Sequence, residues 1–127
     1  MPSVNIANIP INITCHDEEF FNVRLADYII EPKNSDSEYN MVLNSEICDE
    51  VLLPQGKLIE KIRALTLSQK PDGNYFYYTS GRDGKILSLT EYDSEYRQVN
   101  IRQLASRRHS VFSLTDFEYM YTGMAFS

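Results

Sequence analysis

Tryptophan is missing from this chain of 127 residues, and cysteine and histidine occur only twice each. The cysteines are Cys15 and Cys48, the histidines His16 and His109. No Cys-x-x-Cys or His-x-x-x-His pair is present, and structural zinc sites draw on such spacings. Cys15, His16 and Asp17 are adjacent, as are Cys48, Asp49 and Glu50, and immediate neighbours rarely hold one ion together. A zinc site from Cys15, His16, Cys48 and His109 is the minor alternative to two ordinary semi-buried thiols. Nucleophilic catalysis needs a base in reach of the nucleophile. His16 with Cys48, or His109 with Ser110 or Ser113, would have to supply it, and no spacing favours either pair. The acidic neighbours Glu18/Glu19 and Asp49/Glu50 read as solvated faces or helix-start charges. No catalytic residue, metal or cofactor is therefore expected, and the chain is read as not an enzyme.

Long apolar runs are also lacking, and none approaches the length that spans a bilayer. The opening Met-Pro-Ser-Val-Asn-Ile has no basic stretch followed by an apolar one, so a signal peptide is not expected. With so few cysteines, a reducing cytoplasmic setting is expected, with both thiols free. Positive charge is short as well. Eighteen acids against twelve bases give a formal net charge of −6, which argues against nucleic-acid binding through bulk charge and against charge-driven attachment to anionic membranes. The imbalance is uneven. Met1 to Glu60 holds eleven acids and three bases, whereas Lys61 to Ser127 holds seven acids and nine bases. A local basic surface on an acidic protein is possible on that distribution.

What is present suits one small domain over residues 1–127, with 43% apolar residues to build one core. Asn74 to Leu89 organises it. Tyr75 to Thr79 is aromatic and ends in a β-branched residue, Ser80 to Gly84 carries an Asp-Gly pair, and Ile86, Leu87 and Leu89 follow. That is a strand, a reversal and a second strand. Ser80 to Lys85 has the glycines and lysine of a phosphate loop but no following hydroxyl, and a strand rather than a helix comes next. The turn reading is preferred.

Val4, Ile6, Ile11 and Ile13 alternate with polar residues, predicting two short strands or one broken at Asn8 to Pro10. Asp17 with Glu18 and Glu19 predicts a short helix to about Asp27. Tyr39 to Leu43 reads as a strand, and Val51 to Leu53 as a short strand or apolar anchor. Lys57 to Leu67 fits a helix or a long strand, and Leu58, Ile62 and Leu65 at i, i+4 and i+7 favour the helix. Pro71-Asp72-Gly73 predicts a turn. Tyr96 to Leu104 alternates like a third strand of the hairpin's sheet. Ser113, with Asp116 three residues on, caps a final helix from Leu114 to about Tyr121. The expected fold class is α+β: an antiparallel sheet of about five or six strands with two or three helices packed on one face. Phe76, Tyr78, Ile86, Leu89, Val99 and Ile101 are the expected core.

One surface stands out chemically. Arg97, Arg102, Arg107, Arg108 and His109 form the best basic set, and arginine forks suit carboxylates and phosphates. A docking patch for an acidic peptide or phosphate competes here with a solvated loop that pairs with the acidic first half.

The stretch Ser113 to Phe126 contains Glu118, Tyr119, Met120, Thr122, Gly123 and Phe126 in the pattern Glu-Tyr-Met-x-Thr-Gly-x-x-Phe. It resembles the segment before the kinase domain in HPr-kinase-like, PEP-carboxykinase-like bacterial proteins. The opening Ile6 to Ile13 also resembles that family's first strands. No phosphate loop, catalytic aspartate or metal ligand of the family has a matching position. The resemblance therefore implies a non-catalytic accessory or protein-interaction domain that positions a substrate or partner. A kinase domain is among the partners it implies. Tyr119, Tyr121 and Phe126 would meet that domain, or would cover one another in a homodimer through the C-terminal helix. The alternative is a stand-alone small acidic binding protein of inhibitor or toxin-neutralising type, steered to a basic partner by its charge.

Overall fold

The computed structural model describes residues 3–14, 26–62, 65–104 and Met120. Among these residues nine strands form one sheet: β1 (Ser3–Ile6), β2 (Ile9–Thr14), β3 (Ile29–Ile30), β4 (Met41–Cys48), β5 (Lys57–Ile62), β6 (Leu65–Gln69), β7 (Tyr75–Ser80), β8 (Ile86–Tyr92) and β9 (Gln98–Leu104). Their order across the sheet is β3-β1-β2-β4-β9-β8-β7-β6-β5. From β5 to β9 the chain is an antiparallel meander. The pairs β2–β4 and β4–β9 are parallel, so the sheet is mixed.

This corrects the expected α+β class. Strand dominates, and apart from the single helical residue Met120 the only helical segments among the described residues are the short 3-10 turns Ala26–Tyr28 and Asp36–Glu38, with no helix packed on the sheet. The helix favoured for Lys57 to Leu67 is instead two strands, β5 and β6. Its helical spacing is not kept in β5, where the register shifts. Leu58 lies opposite Ser68 and Glu60 opposite Leu67, so Ile59 is an extra, bulged residue. A bulge breaks the period of two and puts Leu58 and Lys61, three apart, on one side.

The helix expected from Glu18 falls outside the described residues apart from Ala26 and Asp27, which belong to a 3-10 turn. Of the final helix only Met120 is described. Its side chain is buried in this chain's own core, against a cluster including Val4, Ile13, Leu43 and Ile101. An apolar group used in that way is not available to a second copy, so the homodimer through a C-terminal helix is withdrawn.

Local turn chemistry works as the sequence implies. In the 81–85 loop, Gly81 N–H donates to the Lys85 carbonyl at 2.9 Å, and Gly84 takes φ +82°. At Pro71 to Gly73, Asn74 N–H donates to Asp72 Oδ1 at 2.9 Å and Gly73 has φ +94°. The break at Asn8 is a two-residue hairpin turn between β1 and β2, with Ala7 at φ 52° and Asn8 at φ 67°. Pro10 is the second residue of β2 and precedes its pairing with β4, which begins at Ile11, so its missing N–H leaves no gap there. Ala7 bears the steric cost of a left-handed residue. Ala7→Gly is expected to raise stability by about 1 kcal/mol, read as a higher urea midpoint with an unchanged slope.

One sheet face carries the main core. Val4, Ile11, Ile13, Met41, Leu43, Val99 and Ile101 are buried there with Tyr77. A smaller cluster on the opposite face joins Val51, Phe76, Leu89 and Leu104. Of the expected core, Phe76, Leu89, Val99 and Ile101 are buried, whereas Tyr78 and Ile86 are half-buried at the rim of the second cluster. Tyr39 closes one end. Its hydroxyl lies 2.6 Å from Ser3 Oγ and accepts from Lys33 N–H at 2.8 Å, so this buried ring has its polar tip satisfied.

Candidate functional site

The two described members of the expected basic set are not assembled. Arg97 immediately precedes β9 and Arg102 lies within it, five residues on, about 16 Å in extended chain. Arg102 Nε donates to Glu46 Oε1 at 3.1 Å, directly across the β4–β9 pair. Arg97 lies in a shallow hollow shared with Asp36 and Asp93. One described arginine is thus ion-paired and the other flanked by carboxylates, and the two do not form a joint patch. Arg107, Arg108, His109, Tyr119, Tyr121 and Phe126 lie outside the described residues, as do Cys15 and His16.

Cys48 is a free, half-buried thiol. Burial pushes its pKa up, and the Glu46 carboxylate adds to this against the opposing effect of Arg102. The thiolate is the nucleophilic and metal-binding form, so this setting weakens both uses of Cys48. Among the described residues, no group of three His, Cys, Asp or Glu side chains is placed to hold a metal ion, and no helix is long and apolar enough to cross a membrane.

Tyr75, Tyr92 and Tyr96 stack in a ladder, with centroids 5.7 Å and 5.2 Å apart. Burial, then its neighbours Tyr96 and Tyr75, push Tyr92 up to about 12 from the ordinary 10.0. The folded state favours the neutral phenol, so this contribution is complete below pH 10 and is lost as pH rises through 12. A phenolate absorbance titration should show a late-ionising tyrosine missing from Tyr92→Phe, and urea midpoints should fall over that alkaline range less steeply in the variant.

A groove lies at the β5 end of the sheet. Val51 is buried with Phe76 and Leu89, which anchors the segment that follows over the second cluster. Its neighbours stay out: Leu52 is 69% exposed and Leu53 40%. Pro54 and Gly56 then turn the chain back towards β5. Gly56 is there because nothing larger fits. A Cβ at this position would collide with the Phe76 ring and come within 3.0 Å of the Gln69 carbonyl.

Between this segment and the sheet runs a groove of about 390 Å³. Phe76 and Tyr78 from β7, with Thr66 and Ser68 from β6, line the sheet side. Leu53 and Pro54 come from the loop, and Leu58 and Lys61 from β5. The Ile59 bulge makes that last pairing possible. Leu58 is 60% exposed and Ile59 49%. A second hollow of about 390 Å³ borders Gly56 as well and is lined by Lys57 and Lys70. Lys70 is held by Glu91 at 3.5 Å and, more loosely, by Asp72 at 3.9 Å. The arrangement is a groove of mixed apolar and polar lining flanked by ammonium groups, beside a strand that ends the sheet among the described residues. Its described lining holds no nucleophile–base pair, and it suits holding a chain.

These groove residues were not legible as a site. Val51 to Leu53 read as a short strand or an apolar anchor; the segment is not a strand, and only Val51 is buried as an anchor. The one available signal was an apolar run broken at once by Pro54 and Gly56. The chain matches no family model, no curated protein and no solved structure.

Proposed function

We propose that this chain is a non-catalytic protein-interaction domain that holds a protein or peptide partner in the groove beside β5. The observation that carries the reading is the groove in which Leu53, Leu58, Phe76 and Tyr78 lie among Lys61, Thr66 and Ser68, open to solvent beside an edge strand. Exposed apolar surface rimmed by polar groups is what interaction sites present. The resemblance of Ser113 to Phe126 to the segment before an HPr-kinase-like kinase domain supports the accessory form of this reading, in which the domain positions a substrate or partner for such a kinase. A cytoplasmic setting goes with it, since Cys48 is a free thiol.

The second reading, a stand-alone acidic binder, draws on the exposed acids Asp36, Glu38, Glu46, Asp49 and Glu50 of the first half. The two separate in one experiment. The tagged chain, expressed in its native cell, is expected to retain a defined polypeptide that Leu53→Asp with Leu58→Asp loses by at least about tenfold. Far-ultraviolet circular dichroism checks that the variant is folded. Retention of the same polypeptide by the folded double variant would refute the groove as the contact. Loss instead in Asp49→Lys with Glu50→Lys would favour the acidic binder.

A further inference from the structure

Resting on that interaction reading, we infer that the partner enters as an extended acidic–apolar segment that pairs with β5 and adds a strand to the sheet. β5 ends the strand order on its side, and Lys57 to Lys61 are all exposed. An edge strand presents backbone N–H and C=O groups with no partner on its outer side. Added strands draw affinity from those groups and specificity from pockets for alternate side chains.

β5 has both. Among the described residues nothing pairs with its outer edge, and the groove lined by Leu53, Leu58, Phe76 and Tyr78 lies next to it on one sheet face. Side chains of an added strand would alternate between faces, so every second residue could reach that groove.

The charges define the partner's chemistry. Lys57 and Lys61 stand at the two ends of the exposed stretch. The Leu58/Glu60 register shift sends them to opposite faces, Lys57 opposite Gln69 and Lys61 opposite Thr66. Lys70, which borders the same hollow as Lys57, is already paired with Glu91 and Asp72, so the charge offered is that of Lys57 and Lys61. Glu60 is the only acid on β5. An incoming strand with aspartate or glutamate on both faces and an apolar residue between them would meet ammonium groups on both sides. Opposite charges on facing strands are favourable, and like charges directly opposite are not. Edge lysines and bulges are also devices against indiscriminate pairing. Here they would reject neutral or basic strands and admit an acidic one.

The probe is a display library of random octapeptides selected on the intact chain. Enriched peptides are expected to alternate apolar residues with Asp or Glu. Lys57→Glu with Lys61→Glu is expected to weaken the leading synthetic peptide about tenfold or more. Methylating alternate backbone nitrogens of that peptide should abolish binding, and the unmodified peptide should slow hydrogen exchange at β5 amides.

A leading peptide that tolerates N-methylation, or leaves β5 exchange unchanged, would overturn strand addition. So would enrichment of basic peptides, or no enrichment at all. In each of these cases the interaction reading stands if the partner is still lost on Leu53→Asp with Leu58→Asp, and falls if it is retained. Concentration-dependent dimers lost on Lys57→Glu with Lys61→Glu would also overturn the proposal, because a second copy would then occupy the edge.

Discussion

Leu43→Ala is expected to cost about 3 kcal/mol of folding stability and to lower the melting temperature on the order of 10 °C. Leu43 is fully buried in β4. It lies directly across from Ile13 on one side and Val99 on the other, both also fully buried. Val99 in turn faces Tyr92 on β8. Removing the leucine side chain opens a gap in a row that runs across four strands. Its neighbours are held by backbone ladders on either side, so the row has little room to collapse into the space. The cost is then the lost transfer energy plus a cavity term. Leu52→Ala is the control. At 69% exposure, its effect should stay within about 0.5 kcal/mol. Urea unfolding followed by circular dichroism measures both. A loss below about 1 kcal/mol at Leu43 would contradict the row described here.

Gly56→Ala should be the second severe change, although it adds a single methyl group. The new Cβ would collide with the Phe76 ring and stand 3.0 Å from the Gln69 carbonyl. Phe76 has nowhere to go. It is 3% exposed, packed with Val51, Leu89 and Leu104, and stacked on Tyr78 at 6.3 Å. The loop must lift instead, and with it the wall formed by Leu53 and Pro54. Overpacking of this kind costs about 1–3 kcal/mol, and partner binding through the groove should fall with it. Gly73→Ala separates collision from backbone strain. Gly73 has φ +94° with nothing near its would-be Cβ, so that variant should lose about 1 kcal/mol and leave the groove intact.

Some of the molecule could be read from short stretches. The hairpin at Tyr75 to Tyr92, the turn at Asp72 and Gly73, and β9 each follow from residues within a few positions of one another. In β9 the alternation of exposed Gln98, Asn100 and Arg102 with buried Val99, Ile101 and Gln103 is plain in the structure. It was plain in the sequence because one face of that strand is wet. β4 was harder. Met41, Val42 and Leu43 are buried in succession, and the acidic tail to Cys48 hid the strand's length. Lys57 to Leu67 misled because apolar residues at positions 58, 62 and 65 suit a helix and two short strands alike over so few residues. The arginine patch did not assemble from Arg97 and Arg102 because the extended chain of β9 separates them and gives each its own carboxylate neighbours.

Turn chemistry, the alternation of β9 and the shortage of positive charge are therefore properties that the chain determines by itself. Each depends on a residue's own φ preference, on a period of two, or on a sum. Strand order, the parallel pairs of β4 with β2 and β9, the Ile59 bulge and the groove beside β5 were decided only in the tertiary structure. A β-strand's partner is chosen by which distant apolar row completes its face, as Ile13 and Val99 complete that of Leu43, and no local pattern encodes that choice. The groove exists because Gly56 lets the segment after Val51 lie against Phe76, a contact between residues that become neighbours only when the sheet has formed.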